Sequence, residues 1–285
     1  MDDPAALIHV PLGAPGSGRV RYGAAMALYR AGRLGPAQLE VYRETAAHDG
    51  RDPAFVLAER GLPPVPAPPD SATGALTTLC HLAEDYLNGL SHPGAAEVRA
   101  GLARRQRSVR AQTGAPHPVA DRWLGPALAS MDTHLQPLTR AIAAARPHLR
   151  WVSYDGYPRA LIGEDFAAGH ANALIIGEDG PFRADDFNMG LLLIAPDTLH
   201  RDHNHAAPEL YAPLTGPHGW RFGPGRALML KPAHQPVWNP PFQPHMTKVG
   251  PLPFLALYVW TQNLDQPVQV LSAGDWPELE SLRLG

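Results

Sequence analysis

The apolar pattern of this chain changes period once, near Pro147, and that change restricts its possible folds more than any other feature. Before it, apolar residues recur every three or four positions, as in helices that face a core. After it they alternate or come in short runs separated by Gly, Pro and Asp, as in short antiparallel strands. Strands are expected over residues 151–154, 173–176, 189–194, 209–215, 218–222, 227–230, 246–249, 254–260 and 268–271. Turns fall at 177–181, 196–197, 216–217, 223–225 and 240–241. Such a series points to a barrel or jelly roll. The 32 prolines among 285 residues reinforce it, because each fixes its own φ and removes a backbone donor, which keeps elements short.

Three regions follow. Residues 1–69 read as short helices ending in a connector: Pro36 opens a helix with Leu39, Tyr42 and Ala46 on one side. Asp52 caps the next, with Pro53 in its first turn and Gly61 as a left-handed stop. Residues 62–69, Leu-Pro-Pro-Val-Pro-Ala-Pro-Pro, cannot form a helix and form a semi-rigid extended link. Residues 70–148 read as a helical region that packs on the barrel. A helix is expected over 73–90, and a basic one over 97–110 whose arginines, Arg99, Arg104, Arg105, Arg107 and Arg110, form a solvated face. Beyond it, Leu124, Leu128, Met131, Leu135, Leu138 and Ile142 make a core stripe, with Pro126 and Pro137 starting or kinking its segments. Residues 149–285 form the barrel.

The net charge of −3 gives no reason to expect nucleic acid or an anionic membrane as partner. No apolar run approaches membrane-spanning length and the start lacks a secretory pattern, so a cytoplasmic protein is expected. The single cysteine, Cys80, can make neither an intrachain disulfide nor a thiolate cluster, which leaves the histidines as the nitrogen donors to consider.

Those donors gather in one stretch. In His203-Asn-His-Ala-Ala-Pro-Glu-Leu-Tyr211, the residues His203, His205, Glu209 and Tyr211 share parity, so wherever the chain is extended they project from one face. Pro244-His245 supplies a further imidazole. Nitrogen and oxygen donors of this kind suit one divalent transition metal ion (zinc, iron, manganese, cobalt or nickel) better than calcium or magnesium. His203, His205, Glu209 and His245 would hold it and leave positions open for water or substrate. His218 and His234 lie in turns, where exposed histidine is common, while His200 could line the site mouth as a proton relay. Of the large aromatics Trp220, Trp238, Phe242, Tyr258 and Trp260, the last two are the pocket candidates.

This pattern resembles the metal-dependent cupins, most closely their dimethylsulfoniopropionate lyase group. The likeness extends to Gly190-Leu-Leu-Leu193, Pro213-Leu-Thr-Gly216, Pro244-His-Met246 and Leu255-Ala-Leu-Tyr-Val-Trp260, across roughly residues 150–272. It implies a mainly β fold, the cupin double-stranded β-helix or jelly-roll barrel, preceded by an α-helical N-terminal region. It also implies the four metal ligands named above, Tyr211 as base, and cleavage of a small zwitterionic carboxylate to dimethyl sulfide and acrylate by β-elimination. A phenol beside a divalent cation is a plausible base on physical grounds, since the cation favours the phenolate. Aromatic faces accept a sulfonium without donating hydrogen bonds. Where some of the group carry a tyrosine three residues before the first histidine, this chain has His200. The competing readings are a metal-dependent cupin enzyme, an oxygenase or isomerase, acting on another small carboxylate, and a non-catalytic binding protein. The helical region would cover one barrel face, and a role in a homodimer is open to it.

Overall fold

The computed structural model describes residues 4–65, 71–110 and 112–285. Its strands are β1 (Trp151–Val152), β2 (His170–Ile176), β3 (Asn188–Ile194), β4 (Leu199–Asn204), β5 (Glu209–Pro213), β6 (His218–Arg221), β7 (Met229–Lys231), β8 (Val237–Asn239), β9 (His245–Lys248), β10 (Phe254–Trp260) and β11 (Gln269–Val270). They form two sheets, ordered β1-β2-β3-β10-β5-β8 and β11-β4-β9-β6-β7, with antiparallel neighbours throughout.

The central strands read as unbroken apolar runs because both of their faces are covered. On β10, Leu255, Leu257 and Val259 join a core shared with the helices, while Phe254 and Ala256 join the core between the sheets. Strand β3 repeats this, with Leu191 and Leu193 toward the helices and Leu192 and Ile194 inward. Period-two alternation assigns each side chain to its layer. Each fully buried leucine stabilises this stack by ~1.5–3 kcal/mol relative to exposure.

The helices Ala72–Asn88, Ala95–Ala103, Pro118–Ala129 and Gln136–Ala145 contribute Leu79, Val98, Leu124 and Ile142 to that outer core. The expected stripe is thus two helices, joined by a turn at Thr133–Leu135; Pro126 lies inside the first and Pro137 in the first turn of the second. The expected basic helix ends early, at Ala103. Arg105 pairs with Glu84, and Arg104 donates to the Thr261 carbonyl at 2.8 Å, so backbone beyond Ala103 is held by tertiary contacts. Helices Ser17–Arg30, Pro36–Thr45 and Pro53–Glu59 surround a separate cluster including Ile8, Leu28, Val41 and Leu57. Asp52 caps the last of these by accepting from the Ala54 amide at 2.9 Å, and Gly61 takes φ +64°. Residues 66–69 of the proline connector lie outside the described residues.

Strands β4 and β8 were not among those expected. Alternating charge and histidine in Leu-His-Arg-Asp-His-Asn masks β4, whose polar groups are buried against partners from elsewhere. Arg221 Nε and Nη2 reach Asp202 at 3.0 and 2.5 Å, Arg221 Nη1 reaches Asp275 at 2.5 Å, and the Trp276 indole donates to Asp202 at 2.9 Å. This network fastens the terminal helix Trp276–Ser281 to β4.

Candidate active site

The shared-face expectation for His203, His205, Glu209 and Tyr211 requires correction. Strand β4 ends at Asn204 and β5 begins at Glu209, with a bend between them, so the motif crosses from one sheet to the other. The side chains meet because the two sheets face each other. His203 pairs across strands with His245 on β4 and β9. Opposite them, Glu209 pairs with Trp260, and Tyr211 with Tyr258, on β5 and β10. His205 enters from the bend.

The donor geometry is specific. His203 Nδ1 lies 2.8 Å from the Arg201 carbonyl, His205 Nδ1 2.7 Å from that of Ala207, and His245 Nδ1 2.9 Å from that of Gln243. Each Nδ1–H therefore donates to backbone; the neutral rings of His203 and His245 then carry a lone pair on Nε2, while His205 Nε2 shares a hydrogen bond with Glu209 that an ion would replace. Ligand atoms of the three imidazoles lie within 4.8 Å of one another. Glu209 Oε2 sits 3.1 Å from His205 Nε2 and 3.2 Å from His245 Nε2. The Trp260 indole N–H donates to the other carboxylate oxygen, Oε1, at 2.6 Å. His203 Nε2 and His245 Nε2 are buried without a hydrogen-bond partner. Buried orphan acceptors are costly, and four converging donors of this kind fit a transition-metal ion.

The local field agrees. Burial, then the His245 and His200 charges, hold His203 neutral, well below its ordinary pKa. Burial opposes ionisation of Glu209, but His205 and His245 outweigh it and keep its carboxyl well below the usual range. Burial, followed by the Glu209 charge, raises the Tyr211 phenol well above its ordinary value; Tyr211 also hydrogen-bonds Glu209.

Glu209, Tyr211, Tyr258 and Trp260 open onto a cavity of about 180 Å³. His200 also lines it, but as a buried wall residue and not at the mouth. Its ring stacks between Phe166 (3.9 Å) and His203 (4.1 Å), and its Nε2 is 2.9 Å from the Tyr157 hydroxyl. Tyr154, Tyr157, Asn172 and Asn188 also line the cavity, beside Phe166, His170, Leu174 and Leu192, and were missed in the sequence. The Tyr-Asp-Gly-Tyr run at 154–157 was the available signal, an aromatic pair in a turn just ahead of the barrel. Gly190 on β3 makes room, since a Cβ there would lie 2.8 Å from the Tyr258 ring.

Other aromatics and histidines go elsewhere. Trp220 is core between the sheets, Trp238 packs beneath the helices beside Gly94, and Phe242 is exposed. His218, expected at the surface, is buried. Its Nδ1 accepts from the Gly250 amide at 3.1 Å, and its Nε2 lies 3.2 Å from the Thr215 hydroxyl. His234 is partly buried, bonded to Tyr86 and Asp132.

A family model for dimethylsulfoniopropionate lyase matches residues 94–256, more than half of the chain. The chain belongs to the dimethylsulfoniopropionate lyase family. Within this lyase family it is similar to the dimethylsulfoniopropionate lyase DddQ of Ruegeria pomeroyi, 29% identical over 177 residues, which are 56% of this chain and 82% of that protein. It is also similar to a putative dimethylsulfoniopropionate lyase, DddL, of Cereibacter sphaeroides, 30% identical over 151 residues, 49% of this chain and 58% of that one. Among solved structures, one reported for the lyases RdDddP and RnDddQII aligns with a TM-score of 0.57 at 23% identity, covering 71% of this chain and 100% of that chain. That likeness concerns the fold, a cupin barrel preceded by helices. No helix among the described residues is long and apolar enough to cross a membrane.

Proposed function

We propose that this lyase-family protein cleaves dimethylsulfoniopropionate to dimethyl sulfide and acrylate, with a divalent transition metal held by His203, His205, Glu209 and His245. The observation that carries the reading is the convergence of three backbone-anchored imidazoles and one carboxylate beside a buried tyrosine. When bound, the metal supplies a Lewis acid that makes a nearby phenol and a carboxylate's α-CH more acidic.

Tyr211 is the base. Its neighbours raise its pKa through burial and the Glu209 charge, so reversing the sign of charge at this cluster is what makes it competent. Tyr211 Oη, as the phenolate, takes the α-proton, the C–H electron pair forms the α–β double bond, and the β-carbon–sulfur bond breaks with its electrons going to sulfur. The products are acrylate, dimethyl sulfide and one proton on Tyr211. Tyr258, Trp260 and the rings of Tyr154, Tyr157 and Phe166 offer π faces to the sulfonium. His200, held by Tyr157, shapes the wall on which the substrate rests. Elimination needs no oxygen, which separates this reading from an oxygenase on another carboxylate. On this reading residues 149–285 are the catalytic barrel, 70–148 its helical cover, and 1–69 an added unit.

The test is headspace detection of dimethyl sulfide from metal-loaded protein under anaerobic conditions. We expect release from the unaltered chain and loss of at least 100-fold in Tyr211→Phe, with metal content unchanged. Equal turnover in Tyr211→Phe overturns Tyr211 as base, and no turnover with any divalent metal overturns the lyase reading.

A further inference from the structure

Away from the barrel interior, a second group of donors meets where the helices adjoin the sheet. Asp132 and His134 belong to the turn between helices Pro118–Ala129 and Gln136–Ala145, and His234 to the loop between β7 and β8. We propose that Asp132, His134 and His234 form a second metal site, for zinc or another borderline divalent cation, that ties the helical region to the barrel.

The distances suit this. Asp132 Oδ2 lies 2.8 Å from His234 Nε2 and 4.0 Å from His134 Nδ1, and ligand atoms of all three residues fall within 4.8 Å. Tetrahedral zinc with bonds near ~2.0–2.1 Å spaces its ligand atoms by roughly 3.3 Å, so the trio closes on an ion through small rotations. Two imidazoles and one carboxylate select zinc, cobalt or nickel over calcium or magnesium.

The least exposed donor is also the most firmly supported. His234 Nδ1 is 2.9 Å from the Tyr86 hydroxyl, and that oxygen is 3.5 Å from the Pro213 carbonyl. In the metal-free chain His234 Nε2–H donates to Asp132 Oδ2 at 2.8 Å; moving the ring proton to Nδ1, where the Tyr86 hydroxyl can accept it while donating to Pro213, frees the Nε2 lone pair for an ion beside Asp132. The barrel histidines are prepared for an ion in the same way, by an anchored Nδ1. His234 takes a left-handed φ of +65°, a region few residues other than glycine occupy, and its amide donates to Pro213 at 2.8 Å. The His134 and Asp132 side chains are 66% and 59% exposed, so an ion enters from solution and water fills its remaining positions. Pro213 ends β5, the strand of Glu209 and Tyr211, so the ion would brace that strand against helix Ala72–Asn88 through Tyr86.

The site does not depend on the proposed function. The experiment is equilibrium dialysis of the untagged full chain against zinc, followed by metal analysis. Asp132→Ala/His134→Ala alters only exposed side chains, and its fold is checked by circular dichroism. We expect it to bind one zinc equivalent fewer than the unaltered chain. In a His203→Ala/His245→Ala chain, we expect one equivalent to remain, to raise Tm, and to vanish when His134→Ala is added. Equal zinc content with and without Asp132→Ala/His134→Ala overturns the site, even if the barrel binds metal. Loss confined to the barrel variant also overturns it.

Discussion

Replacing Trp260 with Phe tests how the site holds Glu209. The Trp260 ring lies 4.6 Å from that of His205, and its N–H donates at 2.6 Å to Glu209 Oε1. Phenylalanine keeps an aromatic face beside His205 but removes the donor. A hydrogen bond to a buried charge contributes about 1.5–3 kcal/mol, and losing it lets the carboxylate rotate away from His205 and His245. Converted at 1.4 kcal/mol per tenfold, that is a roughly 10- to 150-fold weaker metal affinity, in line with the ~10–100-fold typical of partners that orient a ligand. The assay is zinc competition against a chromophoric chelator, in an Asp132→Ala/His134→Ala background so that only the barrel is read. Glu209→Gln/Trp260→Phe should be no weaker than Glu209→Gln alone, because the indole has nothing charged left to hold. Unchanged affinity in Trp260→Phe, with folding intact, refutes the orienting role.

Two further outcomes concern stability. Arg221→Met leaves Asp202 buried with only the Trp276 donor of its former partners, which should cost ~3–5 kcal/mol and lower Tm by roughly 10 °C. A Tm within about 2 °C of the unaltered chain in a thermal melt contradicts this account of the network. The second outcome concerns pH. Burial pushes His218 down to about 4, outweighing the hydrogen bond at Thr215 that favours the charged ring. Between the ordinary value near 6.5 and that folded value, the unfolded chain takes a proton that the folded chain refuses. Stability therefore falls as pH drops through this window, by up to ~3 kcal/mol, and is flat for this group above it. Urea unfolding at pH 7 and pH 4.5 should show a shallower loss for His218→Asn, and identical losses in both chains would refute it.

The sequence by itself determined the division of the chain into a helical part and a β part, the candidate donors, and the resemblance that its family membership later bore out. Period and turn chemistry are local properties, so Pro36, Asp52 and Gly61 marked helix ends and Leu255 to Trp260 marked a central strand without any tertiary knowledge. Only the tertiary structure decided that His203 and His245 face Glu209 and Tyr211 from opposite sheets, because the bend at 205–208 carries the chain between them. Strand β4 was hidden for the same reason: its Asp202 and His200 are tolerated in the interior only because Arg221, Trp276 and Tyr157, remote in sequence, satisfy them. Tyr157 and Asn188 likewise reach the pocket through the fold of the whole barrel. Spacing along a chain identifies which groups can bind a cation, and the packing of two sheets sets where those groups meet, since the partners that neutralise and aim each one come from distant strands.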